Sequence, residues 1–286
     1  MTEISAATVM KLRKISGQGM MDCKKALEES SGDMDKAMES LRKKGLATLS
    51  KRADRQTSEG RLLCAVSPDG RTVAMVSLCC ETDFVAKNDD FIAASEKLAQ
   101  CAIAAPQDHG TETLMNVCVD GRPFADILTD TVAKTGEKTE IGDFFRFTLE
   151  DAGVIGYYVH FNNKVGAMVQ IETSSQDVAK AIKPLANGLA MHITAINPVA
   201  LDRQSVDPAI VQKEREIAAE QVKDKPAAIV EKIVDGKMAK FFKDNCLVDQ
   251  PFVRDDSKTV AQALAEAAKE AGGQAEIKRF IRVEIG

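Results

Sequence analysis

The side chains best equipped for chemistry are the adjacent Cys79 and Cys80, with His160 or His192 as a candidate base. A thiol beside an imidazole is what cysteine nucleophiles require. The spacing argues against it. Both cysteines fall in a β-rich run, and neighbours on a strand face opposite sides, so the pair cannot line one pocket. His192 lies in the apolar stretch GLAMHI, the setting of a satisfied core histidine. The seven cysteines (Cys23, Cys64, Cys79, Cys80, Cys101, Cys118 and Cys246) form an odd set with no C-x-x-C pair. That pattern points to neither a disulfide framework nor a zinc site and suits the reducing cytoplasm. No glycine loop has phosphate-cradle spacing, GLATLSK included, so no nucleotide, metal or other cofactor is expected to bind this chain. The sequence predicts no enzyme.

A second constellation, Thr82-Asp83-Phe84-Val85, combines a carboxylate with a large aromatic side chain where a strand hands over to a helix. Loops in that position are where binding residues concentrate. On residue types alone two readings stand: Phe84 covers the core while Asp83 caps a helical turn, or the pair is presented to a partner.

Composition narrows the partners. The chain has 286 residues, 44% of them hydrophobic, enough for a real core and two to three domains or subdomains. A net charge of -5 gives no basic field for phosphate backbones, and the absence of Trp leaves few stacking platforms, so direct nucleic-acid binding is not expected. No apolar run reaches the roughly 20 residues that span a bilayer, and the N-terminus lacks a secretory apolar region. A soluble, unexported protein follows.

Residues 1–45 read as three short helices. Ser5 caps the first, which carries Val9, Leu12 and Ile15 at helical spacing and ends at Gly17. Cys23, Ala26 and Leu27 mark the second. Asp33 caps the third, which shows Met34, Ala37, Met38 and Leu41 before an expected stop at Gly45. Helices this short need one another, so they form a bundle. Residues 46–58 are polar and basic and read as a linker or solvated helix. From Glu59 the period becomes that of strands: two β-rich runs around the turn Pro68-Asp69-Gly70, then a helix carrying Phe91, Ala94, Leu98 and Ile103. Hairpin, loop and helix recur about a hundred residues later, with a turn at Asn162-Asn163, which predicts a duplicated α+β core. Between the copies lie a helix around 123–134 and a strand around 144–149. After Pro198, two amphipathic patterns (208–222 and 227–243) break at Lys225-Pro226 and predict a protruding helical hairpin. Its narrow apolar stripes are Ile210, Val211 and Ile217 against Ile229, Ile233, Met238 and Phe241. The tail (258–286) reads as a helix followed by FIRVEI, a strand that completes the second sheet. The expected division is 1–45 bundle, 46–58 linker, 59–150 first core subdomain, 151–199 with 246–286 second core subdomain, and 200–245 hairpin.

Five segments in order carry a family resemblance: ISGQGMMDCKKAL (15–27), CETDFVAKNDDF (80–91), PAAIVEKIVDGKMAKFF (226–242), QPFVRDDSKTV (250–260) and FIRVEIG (280–286). They are similar to those of the elongation factor Ts family along nearly the whole chain. The resemblance implies an N-terminal module of ubiquitin-associated type, a duplicated core and a protruding hairpin that serves dimerisation in coiled-coil fashion. It implies a guanine-nucleotide exchange factor of translation elongation, without catalytic chemistry, that expels GDP from elongation factor Tu. The family's Asp-Phe pair, matched by Asp83 and Phe84 within Thr82 to Val85, wedges against helices of the partner's GTPase domain and dislocates its Mg²⁺. Arg13, Met20 and Met21 match module positions that touch the same domain. The adjacency of Met20 and Met21 predicts that one packs inward while the other faces the partner. His160 matches a position in the partner-facing sheet, and on residue type alone reads equally as a solvent-facing strand histidine. Thr135 stands where the family more often has an apolar residue. Some members carry a further C-terminal helical module beyond the equivalent of FIRVEIG, and the resemblance implies no such contact here. Stoichiometry, one-to-one or two-to-two, is open. The rival function is a non-catalytic scaffold for a different partner.

Overall fold

The computed structural model describes residues 4–223 and 226–286. The fold is α+β. It opens with three helices, α1 (Ala6–Ser16), α2 (Met20–Glu29) and α3 (Met34–Lys51). Ser5 Oγ accepts from the Thr8 amide at 3.2 Å, and Gly17 ends α1 with φ +69°. Asp33 Oδ1 accepts from the Asp35 and Lys36 amides, both at 3.1 Å, which starts α3. Val9, Leu12, Cys23, Ala26, Leu27, Ala37 and Leu41 form the bundle core.

Met38, expected on the packed face of α3, is instead 37% exposed, and two further expectations fail here for geometric reasons. Ile15 is 60% exposed. At 100° per residue it lies about 120° from Val9, and Ser16, about 20° from Val9, takes the buried place. Gly45 does not stop the third helix, which continues to Lys51 and takes in the start of the expected linker. Gly45 is the contact between α3 and α6 (Phe124–Thr135), where a Cβ would come within 2.9 Å of the Thr129 carbonyl oxygen and of Ala133 Cβ. Close packing of the bundle on the core outweighs the roughly 1 kcal/mol a mid-helix glycine costs.

The core begins with the hairpin β1 (Glu59–Val66) and β2 (Thr72–Cys80), turned at Gly70 with φ +71°. A single turn α4 (Asp83–Ala86) leads into α5 (Asp89–Ala104), and a two-residue ribbon, β3 (Cys118–Val119) and β4 (Arg122–Pro123), precedes α6. Then come β5 (Thr139–Thr148), the hairpin β6 (Gly153–Val159) and β7 (Val165–Thr173), and α7 (Gln176–Ile196). The helical hairpin is α8 (Pro208–Glu220) and α9 (Ala227–Asn245). The chain closes with β8 (Pro251–Phe252), β9 (Asp255–Thr259), α10 (Val260–Glu270) and β10 (Ala275–Glu284).

Two antiparallel sheets, ordered β1-β2-β5 and β6-β7-β10, repeat one plan: a hairpin with a later strand added to its second member. The FIRVEI segment is that added strand. Val76, Leu78 and Cys80 of β2 pack beneath α5 with Phe91 and Leu98. Val73, Met75 and Cys79, from the opposite face of the same strand, meet Ile155, Met168 and Val283 of the second sheet. Helices α7 and α10 cover that sheet's outer face through Ile182, Leu189, Ile193 and Leu264. The core is thus helix, sheet, sheet, helix. β2, buried on both sides, is its centre.

The hairpin α8/α9 packs through Ala218, Val234 and Met238, leaving the expected stripe residues Ile210, Ile217 and Ile229 exposed. The small Ala218 lets the axes approach and turns the bulkier isoleucines to the flanks. Lys225, half of the expected Lys225-Pro226 break, lies outside the described residues.

Candidate functional site

Where β2 ends, Cys80 Sγ donates to the Thr82 carbonyl at 3.2 Å and the chain turns into α4. Thr82 is its N-cap, its Oγ1 accepting from the Val85 amide at 3.4 Å. Glu137, from the loop before β5, grips the same residue twice: Oε1 accepts from Thr82 Oγ1 at 2.7 Å and Oε2 from the Thr82 amide at 3.0 Å. A four-residue helix has no stability of its own, so this clamp and the burial of Val85 and Ala86 fix it. With those two residues turned inward, Phe84 must face out, and it is 82% exposed. Asp83 lies beside Lys87, Oδ2 to Nζ 2.7 Å. That hydrogen bond holds the Asp83 carboxyl below its ordinary range, with a smaller contribution from the charge of Lys164.

Behind the turn, Glu81 binds Arg52 at 2.8 Å, Arg55 at 2.9 Å and the Lys138 amide. Burial acts to raise the Glu81 carboxyl, but the amide and the two guanidinium groups outweigh it and bring it down to about 2. A carboxyl lowered on folding stabilises the protein above its unfolded pKa and loses that contribution as pH falls through the folded one. Glu81→Gln is therefore expected to lower stability near neutral pH and to flatten the stability profile between about pH 4.5 and about pH 2. Urea unfolding of both proteins at several pH values across that window checks it. Parallel profiles would contradict it.

Cys79 faces the inter-sheet layer and Cys80 the layer under α5, as strand geometry requires. Burial pushes both thiols up, Cys80 to about 12 with help from nearby Glu137. Neither thiol is activated. His192 is fully buried, its Nε2 2.8 Å from Gln250 Oε1 and its Nδ1 accepting from the Val253 amide at 3.3 Å. It is a satisfied core histidine, and burial lowers its pKa. His160, half-buried at the end of β6, meets Tyr158 Oη through Nδ1 at 3.0 Å. Neither imidazole reaches a cysteine among the described hydrogen bonds. Thr135 Oγ1 donates to the Thr131 carbonyl at 2.9 Å and accepts from the Glu137 amide at 3.5 Å, so that hydroxyl is satisfied within the chain.

On the bundle, Arg13 is exposed in the last turn of α1, and Met20 and Met21 open α2. Met21 points to solvent at 72% exposure and Met20 is 40% exposed, so neither packs fully inward. Lys134 ties this corner to the core: its stem passes under Gly17 and its Nζ pairs with Asp90 at 2.6 Å, at the start of α5. Glu81, Glu137 and Lys134 escaped the reading of the sequence. Their partners lie tens of residues away, and an isolated Glu or Lys carries no local mark of them. Phe161, 86% exposed at the β6–β7 turn, was legible as an aromatic beside Asn162-Asn163, where turn chemistry favours polar residues.

Fold and site together define an α+β protein that presents apolar side chains on braced surface turns. A family model described as Elongation factor TS matches residues 81–286. A protein named elongation factor Ts from Nitratiruptor sp. is 45% identical over 285 residues, covering 99% of this chain and 93% of that one. Its namesakes from Desulfovibrio desulfuricans and Clostridium acetobutylicum are each 40% identical; alignment covers 100% and 99% of this chain, and 99% and 92% of theirs. The chain belongs to the elongation factor Ts family. Among the described residues, no helix is long and apolar enough to cross a membrane.

Proposed function

We propose that this chain is a guanine-nucleotide exchange factor of translation elongation, acting in the cytoplasm by binding energy alone. It binds elongation factor Tu in its GDP-bound and nucleotide-free forms and promotes GDP release so that GTP can enter. One observation carries this reading: Phe84 is held out at 82% exposure on a turn whose every other support is internal. An exposed aromatic on a pre-ordered turn loses little entropy on docking and buries a large apolar area.

Mg²⁺ and oriented backbone dipoles hold GDP, so displacing a helix that positions the ion's ligands removes much of the affinity. In this reading Phe84 displaces that helix. Asp83 exchanges its Lys87 pairing for a polar contact on the partner, and Thr82 and Val85 hold the wedge in place. Arg13, Met20 and Met21 grip the same domain from the bundle, and His160 from the second sheet. Coupling between sites is reciprocal. If the chain weakens Mg²⁺ binding, Mg²⁺ must weaken the binding of the chain. Affinity for GDP-bound elongation factor Tu is therefore expected to fall as free Mg²⁺ rises, measured by titration calorimetry. An affinity independent of Mg²⁺ would remove the metal from the mechanism.

A further inference from the structure

Phe161 is the most exposed large apolar side chain among the described residues, ahead of Phe84 and Met21. It is not a loose tip. The Asn163 amide donates to the His160 carbonyl and the His160 amide to the Val165 carbonyl, each at 2.8 Å, and Asn162 Oδ1 accepts from the Lys164 amide at 3.0 Å. Asn163 adopts φ +55°, and its carbonyl accepts from the Leu62 amide at 2.6 Å, pinning the turn to β1. The imidazole of His160 lies against the Phe161 ring, centroids 4.3 Å apart.

The same bonds place this turn beside α4. Lys164 Nζ pairs with Glu59 Oε1 at 2.6 Å, and Glu59 stands opposite Cys80 in the β1–β2 register, two residues before Thr82. Helix α4 packs on β1, and the charge of Lys164 is felt at Asp83. Two outward phenylalanines thus rise from adjacent, independently braced turns of one edge, one from each sheet. The cleft between those sheets, about 390 Å³, is lined by Arg61, Leu63, Tyr157 and Tyr158. Among the described residues, Arg61 Nε, buried there, has no hydrogen-bond partner. Two ordered aromatic side chains on one edge, with a buried guanidinium nitrogen in the cleft between the sheets, make a patch of the kind a partner covers.

We propose that Phe161 is a second aromatic anchor of the surface that engages the GTPase partner, securing the complex while Phe84 drives nucleotide release. The proposal rests on the exchange function above and adds an aromatic anchor beside His160 to that surface. Two anchors on one edge divide the work: Phe161 sets how tightly the chain docks, and Phe84, the wedge of the exchange mechanism, sets how fast GDP leaves.

The test is fluorescent GDP release from elongation factor Tu, recorded against increasing concentrations of the wild-type chain, Phe161→Ala, Phe161→Leu and Phe84→Ala. Phe161→Ala is expected to raise the half-maximal concentration by about tenfold while reaching the wild-type maximal rate. Phe161→Leu should recover most of the loss, and melting of all variants should match the wild type. Phe84→Ala should instead lower the maximal rate. A Phe161→Ala curve superimposed on wild type overturns the proposal and leaves the exchange function standing. Changed self-association in sedimentation, with partner binding unaltered, overturns it in favour of a second copy as occupant. Wild-type chain without effect on GDP release rejects the exchange function itself, and the anchor with it.

Discussion

Phe84→Ala is expected to slow catalysed GDP release by about tenfold or more while leaving the melting temperature nearly unchanged. A buried phenylalanine truncated to alanine costs roughly 3–5 kcal/mol, because the transfer energy is lost and a cavity remains. At 82% exposure Phe84 has no cavity to leave. Its energy is available only to a partner, and interface energy concentrates in a few aromatic anchors. Asp83→Ala should slow release less, since its carboxylate already has Lys87 at 2.7 Å and water can replace a polar contact. The double variant should fall short of the sum, because both side chains act on one element of the partner. Melting curves and release rates for the three proteins decide this. A large loss of stability in Phe84→Ala, with the remaining folded protein exchanging normally, would make the residue packing.

Replacing Arg13, Met20 and Met21 together with alanine is expected to weaken partner binding by about tenfold or more with the fold intact. All three are exposed on the bundle and none belongs to its core, so stability has little to lose. Surface substitution is cleaner than truncation. A cut at residue 45 would sever α3 inside its run from Met34 to Lys51 and uncover the face of α6 that Gly45 touches. Calorimetric titration of the triple variant against elongation factor Tu checks the expectation. Wild-type affinity would make the bundle an accessory.

What the sequence reveals here is local, and what it conceals is long-range. Ser5, Gly17, Asp33 and Gly70 announce caps and a turn because their chemistry acts within a few residues. The repeated hairpin and helix, and a tail strand for the second sheet, follow from periodicity. Gly45 misleads because a glycine that ends a helix and one that admits a neighbouring helix look alike in one dimension. The isoleucines of α8 and α9 mislead because a narrow stripe shifted by one residue moves by 100°. At the site, family motifs point to Asp83 and Phe84. The exposure of Phe84 depends on Val85 and Ala86 turning inward and on Glu137 clamping Thr82 from 55 positions away. Nothing near Glu137 in the chain marks that role.

The most direct test is the rate at which fluorescent GDP leaves purified elongation factor Tu, measured in excess unlabelled nucleotide with and without this chain. Exchange by a protein wedge requires release to accelerate with chain concentration and then level off as the complex saturates. Release at the same rate with and without saturating chain would contradict an exchange function and leave Phe84 an anchor for some other partner.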